Sequence, residues 1–166
     1  VYKRQVNISC PNTDDGKCLS DDLETLKKLI LNFRDTSSRV IVVKVSPDSS
    51  DEEVLRVCEI LSNISKTVIN VGNSKYIKAN TVGLTSKNFS KEGGGLSGKS
   101  LYKNTLRTVK MISSKYDIPI IATGGVSSYE NVNELLKNGA SLTGMATLLV
   151  SDPFQIPLIN YRLSND

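Results

Sequence analysis

The run Val40-Ile41-Val42-Val43-Lys44-Val45 is β-branched and apolar apart from one lysine. Such a run suits a strand buried on both faces, the kind that parallel sheets contain. A capping box, Ser50-Asp51-Glu52-Glu53, follows closely, and it opens a helical pattern that places Val54, Val57, Leu61 and Ile64 on one face. The same alternation recurs along the chain. Val6-Asn7-Ile8-Ser9 reads as extended. Leu23, Leu26, Ile30 and Phe33 then mark a helix face, with Ser20 as N-cap and Asp21 and Asp22 at the positive end of the helix dipole. A helical pattern covers about 102–116, and Ile118-Pro119-Ile120-Ile121-Ala122 is a strand. Ser127-Ser128-Tyr129-Glu130 reads as a second capping box. Its helix buries Val132, Leu135 and Leu136 and stops at Gly139. The last strand is about Leu142–Leu148. Between these, 68–71 and 76–79 both read as strand, and 82–100 reads as a polar, glycine-rich loop.

The resulting order is β-α-β-α-β-loop-α-β-α-β. Strands that alternate with helices imply right-handed crossovers and a parallel sheet, so the fold class is α/β. No repeat, linker or break in composition divides the 166 residues, and residues 1–166 read as a single domain. The chemically distinctive residues Cys10, Lys44, Asn80, Gly124, Gly125 and Thr147 all fall at or just past strand C-terminal ends. Parallel α/β folds build their sites there.

Composition removes several kinds of chemistry. The chain has no histidine, which excludes a Ser-His-Asp triad, a Cys-His dyad and a histidine-ligated metal. The net charge of +4 is mild and the basic residues are scattered. With no basic-aromatic stripe, no nucleic-acid platform is expected. Cys10, Cys18 and Cys58 form no C-x-x-C pair, so zinc and dithiol redox motifs are unsupported and no metal site is expected. An odd count without a disulfide framework fits a reducing, cytoplasmic setting. No apolar run approaches the roughly 18 residues of a membrane span.

Residues 93–100, Gly-Gly-Gly-Leu-Ser-Gly-Lys-Ser, match the pattern G-x-x-x-x-G-K-[ST]. That pattern binds a nucleoside triphosphate only where a buried strand precedes the glycines and a helix starts at their end. The preceding residues 85–92 are polar and not strand-like. A P-loop NTPase is therefore the alternative reading, and the favoured reading is a loop whose backbone passes close to a ligand.

The segment Asn7-Ile8-Ser9-Cys10-Pro11-Asn12 sets two amides around a thiol at a strand end. Asn offers both a donor and an acceptor, so the pair can read the C=O and N–H edge of a planar cyclic amide. Cys10 can serve as a base if its thiol is deprotonated or polarised. Lys44 lies inside an otherwise apolar strand, which is costly without a partner group.

These segments, followed by Val-Lys-Val-Ser-Pro-Asp, Ala-Asn-Thr, Gly-Gly-Leu-Ser-Gly, Ile-Ile-Ala-Thr-Gly-Gly-Val and Gly-Ala-Ser-Leu, resemble the dihydroorotate dehydrogenase family in order and approximate spacing, over about residues 6–154. The resemblance implies an FMN-dependent (β/α)8 TIM barrel that oxidises dihydroorotate to orotate in pyrimidine (UMP) biosynthesis. It implies that Cys10 removes the C5 proton while hydride passes from C6 to flavin N5. Asn7, Asn12, Asn80 and Thr81 would hold the substrate. Asn7, Lys44, Ala79, Ser97, Gly98, Gly124, Gly125, Ala146 and Thr147 would hold the cofactor, with Lys44 at the flavin N1–O2 edge and Gly124, Gly125, Ala146 and Thr147 around the phosphate. A dehydrogenase of another dihydropyrimidine is a close variant.

A closed barrel has eight strands and about 250 residues, and about five strands are legible here. The chain is therefore expected to be a truncated, C-terminal part of the barrel, with the first three βα units absent and little activity alone. The subclass signals are mixed. A Cys base resembles the soluble class, which uses fumarate, or NAD through an iron–sulfur partner subunit. Gly-Gly-Leu-Ser-Gly-Lys-Ser-Leu resembles the quinone-linked class, which associates with the membrane. A homodimer is compatible with either.

Overall fold

The computed structural model describes residues 4–8, 19, 22–85 and 87–165. Five strands form one parallel sheet in the order β1-β2-β3-β6-β7. These are β1 (Arg4–Asn7), β2 (Ile41–Val45), β3 (Thr67–Val71), β6 (Ile120–Thr123) and β7 (Leu142–Gly144). A separate antiparallel pair is made by β4 (Lys75–Lys78) and β5 (Gly93–Leu96). The helices are α1 (Leu23–Thr36), α2 (Asp51–Ser62), α3 (Tyr102–Ser113), α4 (Tyr129–Lys137), α5 (Ala146–Ser151) and α6 (Gln155–Leu163). Short 3₁₀ turns occupy Ala79–Val82 and Lys99–Leu101. The expected α/β order is thus present, and five parallel strands are consistent with part of a TIM barrel.

The alternation of side chains along each strand divides the sheet into two faces. On β2, Ile41, Val43 and Val45 belong to the core under the helices, which leaves Val42 and Lys44 on the opposite face. On β3, Ile69 and Val71 join the same core, and Asn70 takes the opposite face with Lys44, its partner in register. The helices seal the first face with Leu26, Ile30, Val54, Val57, Leu61, Val109, Ile112 and Leu135, each at most 3% exposed. The box at Ser50 forms as expected: the Glu53 N–H donates to Ser50 Oγ, and Glu53 Oε2 accepts from the Ser50 N–H at 2.6 Å.

Several local expectations are corrected. The N-cap of α1 is Asp22, whose carboxylate accepts from the Thr25 N–H at 3.0 Å and the Thr25 hydroxyl at 2.6 Å; Ser20 lies outside the described residues. The N-cap of α4 is Ser128, which accepts from the Asn131 N–H. Glu130 therefore stands one residue too early to complete a box. Leu136 is 36% exposed rather than buried. Of the two candidate strands, 67–71 enters the parallel sheet and 75–78 forms the hairpin. Part of the expected loop at 82–100 is strand β5. A Cβ on Gly93 would meet the Ile77 carbonyl oxygen at 2.4 Å, so glycine permits this close pairing while hiding the strand from a propensity reading. The last strand ends at Gly144, and Ala146–Ser151 is helical.

Candidate functional site

A cleft of about 790 Å³ lies at the C-terminal ends of the parallel strands. It gathers Lys44, Ser97, Gly98, Gly124, Gly125, Ala146 and Thr147, seven residues that are distant in sequence and that the sequence reading assigned to a cofactor. Asn7 is opposite Lys44 in the register of β1 and β2 but is not in the cleft lining. Ala79, Asn80 and Thr81 sit on the 3₁₀ turn between β4 and β5, with Ala79 buried and the other two exposed, and they are not in the cleft lining. The expected residues Cys10 and Asn12 lie outside the described residues.

Backbone approaches that require glycine build one wall. Gly98, Gly124 and Gly125 have φ of +99°, +106° and +77°, a region side chains rarely tolerate. A Cβ on Gly125 would meet the Tyr102 nitrogen at 2.4 Å and the Gly98 carbonyl oxygen at 3.0 Å. The turn after β6 therefore lies directly on the start of α3. Thr105 holds this junction by donating its hydroxyl to the carbonyls of Gly124 (2.8 Å) and Thr123 (3.1 Å). Next to it, α5 begins at Ala146 behind Met145, which provides no side-chain cap. The first-turn N–H groups of a helix have no intrahelical partner, and Ala146, Thr147 and Leu148 border the cleft. Glycine backbone and a helix start together suit an anionic group such as a phosphate.

The opposite wall is polar in a way the sequence reading overlooked. Asn70 is 8% exposed. Its Nδ2 donates to Gln5 Oε1 at 3.0 Å, and its Oδ1 accepts from the Thr123 hydroxyl at 2.9 Å. Gln5, Asn70 and Thr123 all border the cleft beside Lys44. The available signal was the one that marked Lys44, a polar residue within an apolar strand. Lys44 borders the cleft and makes no ion pair or side-chain hydrogen bond among the described residues.

The P-loop pattern does not take the required form. Gly93–Leu96 is a strand paired antiparallel with Lys75–Lys78, whereas a phosphate loop leaves a buried parallel strand. Cys58 is fully buried on α2, and desolvation pushes its thiol up to about 12, which makes it packing rather than chemistry. Among the described residues no cluster of His, Cys, Asp or Glu could hold a metal ion, and no helix is long and apolar enough to cross a membrane.

Comparison with known proteins agrees with this geometry. The family model described as dihydroorotate dehydrogenase matches residues 3–165. A dihydroorotate dehydrogenase (quinone) of Christiangramia forsetii is 33% identical over 95% of this chain and 47% of its own length. The dihydroorotate dehydrogenase B (NAD(+)) catalytic subunit of Bacillus pumilus is 32% identical over 99% of this chain and 53% of its own. The crystal structure of the Eimeria tenella enzyme in complex with ferulenol superposes with a TM-score of 0.80 at 20% identity, covering 99% of this chain and 50% of that one. The chain thus spans about half the length of the relatives it matches.

Proposed function

The chain belongs to the dihydroorotate dehydrogenase family, and from that premise we propose that its cleft holds FMN and serves the oxidation of dihydroorotate to orotate in pyrimidine biosynthesis. The observation that carries the reading is the convergence of Lys44, Ser97, Gly98, Gly124, Gly125, Ala146 and Thr147 on one cleft. The residues fit the group. The glycine turn and the start of α5 suit its phosphate, and a lysine at the cleft suits the electron-rich edge of its ring.

Bound flavin supplies a two-electron hydride acceptor. Gly124, Gly125, Ala146 and Thr147 would hold the cofactor's phosphate end through backbone donors, and Gly98 would let the backbone pass close to the flavin. Lys44 offers a fixed positive charge where negative charge collects on reduction, and such a preorganised charge lowers the barrier most where water is excluded. Cys10 takes the proton from substrate C5 as hydride leaves C6, so the substrate loses one proton and one hydride in forming the ring double bond. Asn7 and Asn12 hold the planar ring by its amide edges. The two named relatives differ in acceptor, one named for quinone and the other for NAD(+), and the proposal therefore concerns the dihydroorotate half-reaction.

A second reading is a dehydrogenase of another dihydropyrimidine, because paired asparagine amides would read the C=O and N–H edge of any uracil-like ring.

The test uses the protein as its own gene encodes it, loaded with FMN and kept anaerobic. Dihydroorotate is expected to bleach the flavin absorbance, and dihydrouracil is not. Bleaching by dihydrouracil alone would move the assignment to the second reading, and bleaching by neither would sink both. Cys10→Ala should abolish bleaching and Cys10→Ser should retain part of it. An unchanged rate in Cys10→Ala would remove Cys10 from its role.

A further inference from the structure

Three charged residues border the cleft among the described residues: Lys44, Lys99 and Asp152. The two cations are not equivalent. Lys44 stands on β2, two strands away from β6 in the sheet order, so about 10 Å of sheet separates its strand from the one that leads into Gly124 and Gly125. Lys99 stands beside that turn. It follows Gly98, whose carbonyl oxygen is 3.0 Å from where a Cβ on Gly125 would lie, and a Cβ on Gly98 itself would meet Thr147 Cγ2 at 3.8 Å. Gly98 is thus wedged between the two segments proposed to hold a phosphate, one after β6 and one after β7. On the other side of Lys99, the Leu101 N–H donates to the Gly98 carbonyl at 3.0 Å, and Leu101 is buried. The backbone at position 99 is therefore pinned on both sides. Its side chain is exposed and makes no ion pair or hydrogen bond among the described residues.

We propose that Lys99 pairs with the cofactor's phosphate from the α3 side of the cleft, so that the two cations of the cleft serve opposite ends of the cofactor. The inference rests on the reading that the cleft holds FMN. A phosphate monoester carries about −1.5 to −2 charges near neutrality. Backbone N–H groups and helix starts supply only partial positive charges, and Asp152 adds a negative charge to the same cleft. A full cation with three N–H donors offsets both. The lysine of the Gly-Lys-Ser pattern at 98–100 thereby keeps a phosphate partner, although Gly93–Leu96 is a hairpin strand and the segment lacks the form of a nucleoside-triphosphate loop.

The test measures the FMN Kd at low and high salt, and the flavin midpoint potential, in the whole protein for wild type, Lys99→Met, Lys99→Arg and Lys103→Met. Methionine keeps an apolar stem and removes the charge. Lys103 is an exposed lysine in the first turn of α3 that is not in the cleft lining, so it reports the general field of the surface. Lys99→Met is expected to raise the FMN Kd by about tenfold, the scale of one charge-assisted hydrogen bond, and to flatten the rise of Kd with salt. Its midpoint potential should equal that of wild type, because the phosphate keeps its charge when the ring is reduced. Lys99→Arg should retain most of the wild-type affinity, and Lys103→Met all of it. A wild-type protein that takes up no FMN defeats the cofactor reading and this inference with it. A wild-type protein that binds FMN, with Lys99→Met unchanged in affinity, overturns this inference alone. An arginine variant no better than the methionine one also overturns it, since the charge would then not be the cause. Lys103→Met as weak as Lys99→Met would replace a contact with a long-range field. A shifted potential in Lys99→Met would put Lys99 at the ring and overturn its place at the phosphate.

Discussion

A Cβ on Gly72 would lie 1.7 Å from the carbonyl oxygen of Thr123. The ends of β3 and β6 therefore touch through backbone alone, and Gly72 adopts φ +127° to allow it. The Thr123 hydroxyl returns the contact by reaching the Gly72 carbonyl. No side chain fits without parting two central strands at the mouth of the cleft. Gly72→Ala is expected to cost about 2–4 kcal/mol, combining left-side backbone strain with overpacking. Denaturant unfolding checks it, and a loss within about 0.5 kcal/mol, the range of an ordinary surface change, would contradict the close approach.

Acid sensitivity follows from Asp51. Arg107 on α3 makes two hydrogen bonds to its carboxylate, at 2.6 and 2.8 Å, and these hold the Asp51 carboxyl below its ordinary value of 3.8. A carboxyl lowered in the folded state contributes stability that is fully present above the unfolded pKa and is lost as pH falls through the folded one. Thr25 lowers Asp22 in the same way, and the Ser128 hydroxyl lowers Glu130. The melting temperature of Arg107→Ala is expected to lie below that of wild type near neutrality, and the two should converge as pH falls through the lowered folded pKa of Asp51, where the carboxyl becomes protonated in both. A gap that stays constant into acid would show that Arg107 acts through packing instead.

The sheet was legible because burial on both faces leaves a continuous β-branched signature, as in Val40–Val45, and because Ser50 and Glu53 cap a helix with local chemistry alone. What escaped detection depended on tertiary contact. Gly93–Leu96 pairs as a strand only because glycine lets its backbone approach Ile77 and Tyr76, and glycine carries no strand signal. Leu142–Leu148 reads as one strand in the sequence, yet β7 ends at Gly144 and a helix starts at Ala146. In the site, Lys44 was conspicuous as a charge among apolar neighbours. Asn70 carried a weaker version of the same signal, and its meaning rests on Gln5 and Thr123, far away in sequence. Asn80 and Thr81 were read from local similarity, and they stand on the turn that follows β4 and precedes β5.

The buried thiol on α2 supplies a chemical test of the core. Cys58 has no exposed surface, and burial raises its thiol to about 12. At pH 8 almost none of it is thiolate, and the thiolate is the reactive form. Alkylation of the native protein with iodoacetamide, followed by peptide mass analysis, should leave Cys58 unmodified until denaturant is added. Modification of Cys58 at the rate of a free thiol under native conditions would mean that α2 does not pack as described.

The turn after β6 can be tested by separating backbone strain from steric contact. Gly125 and Gly83 have nearly the same φ, +77° and +74°. A Cβ on Gly83 meets nothing within 4 Å, whereas one on Gly125 would meet the Tyr102 nitrogen at 2.4 Å and the Gly98 carbonyl oxygen at 3.0 Å. Alanine at either position costs about 1–2 kcal/mol for the left-handed conformation. Only at Gly125 does it also push the β6 turn, proposed to surround the cofactor phosphate, away from the start of α3 and from Gly98. Gly83→Ala is therefore expected to lower stability by that strain alone and to leave FMN affinity unchanged. Gly125→Ala should lose more stability and weaken FMN binding by at least about tenfold, the equivalent of about 1.4 kcal/mol. Titration of FMN fluorescence alongside denaturant unfolding reads both quantities in the same samples. Equal FMN affinity in the two variants would show that the turn after β6 does not cradle the phosphate, whatever else occupies the cleft.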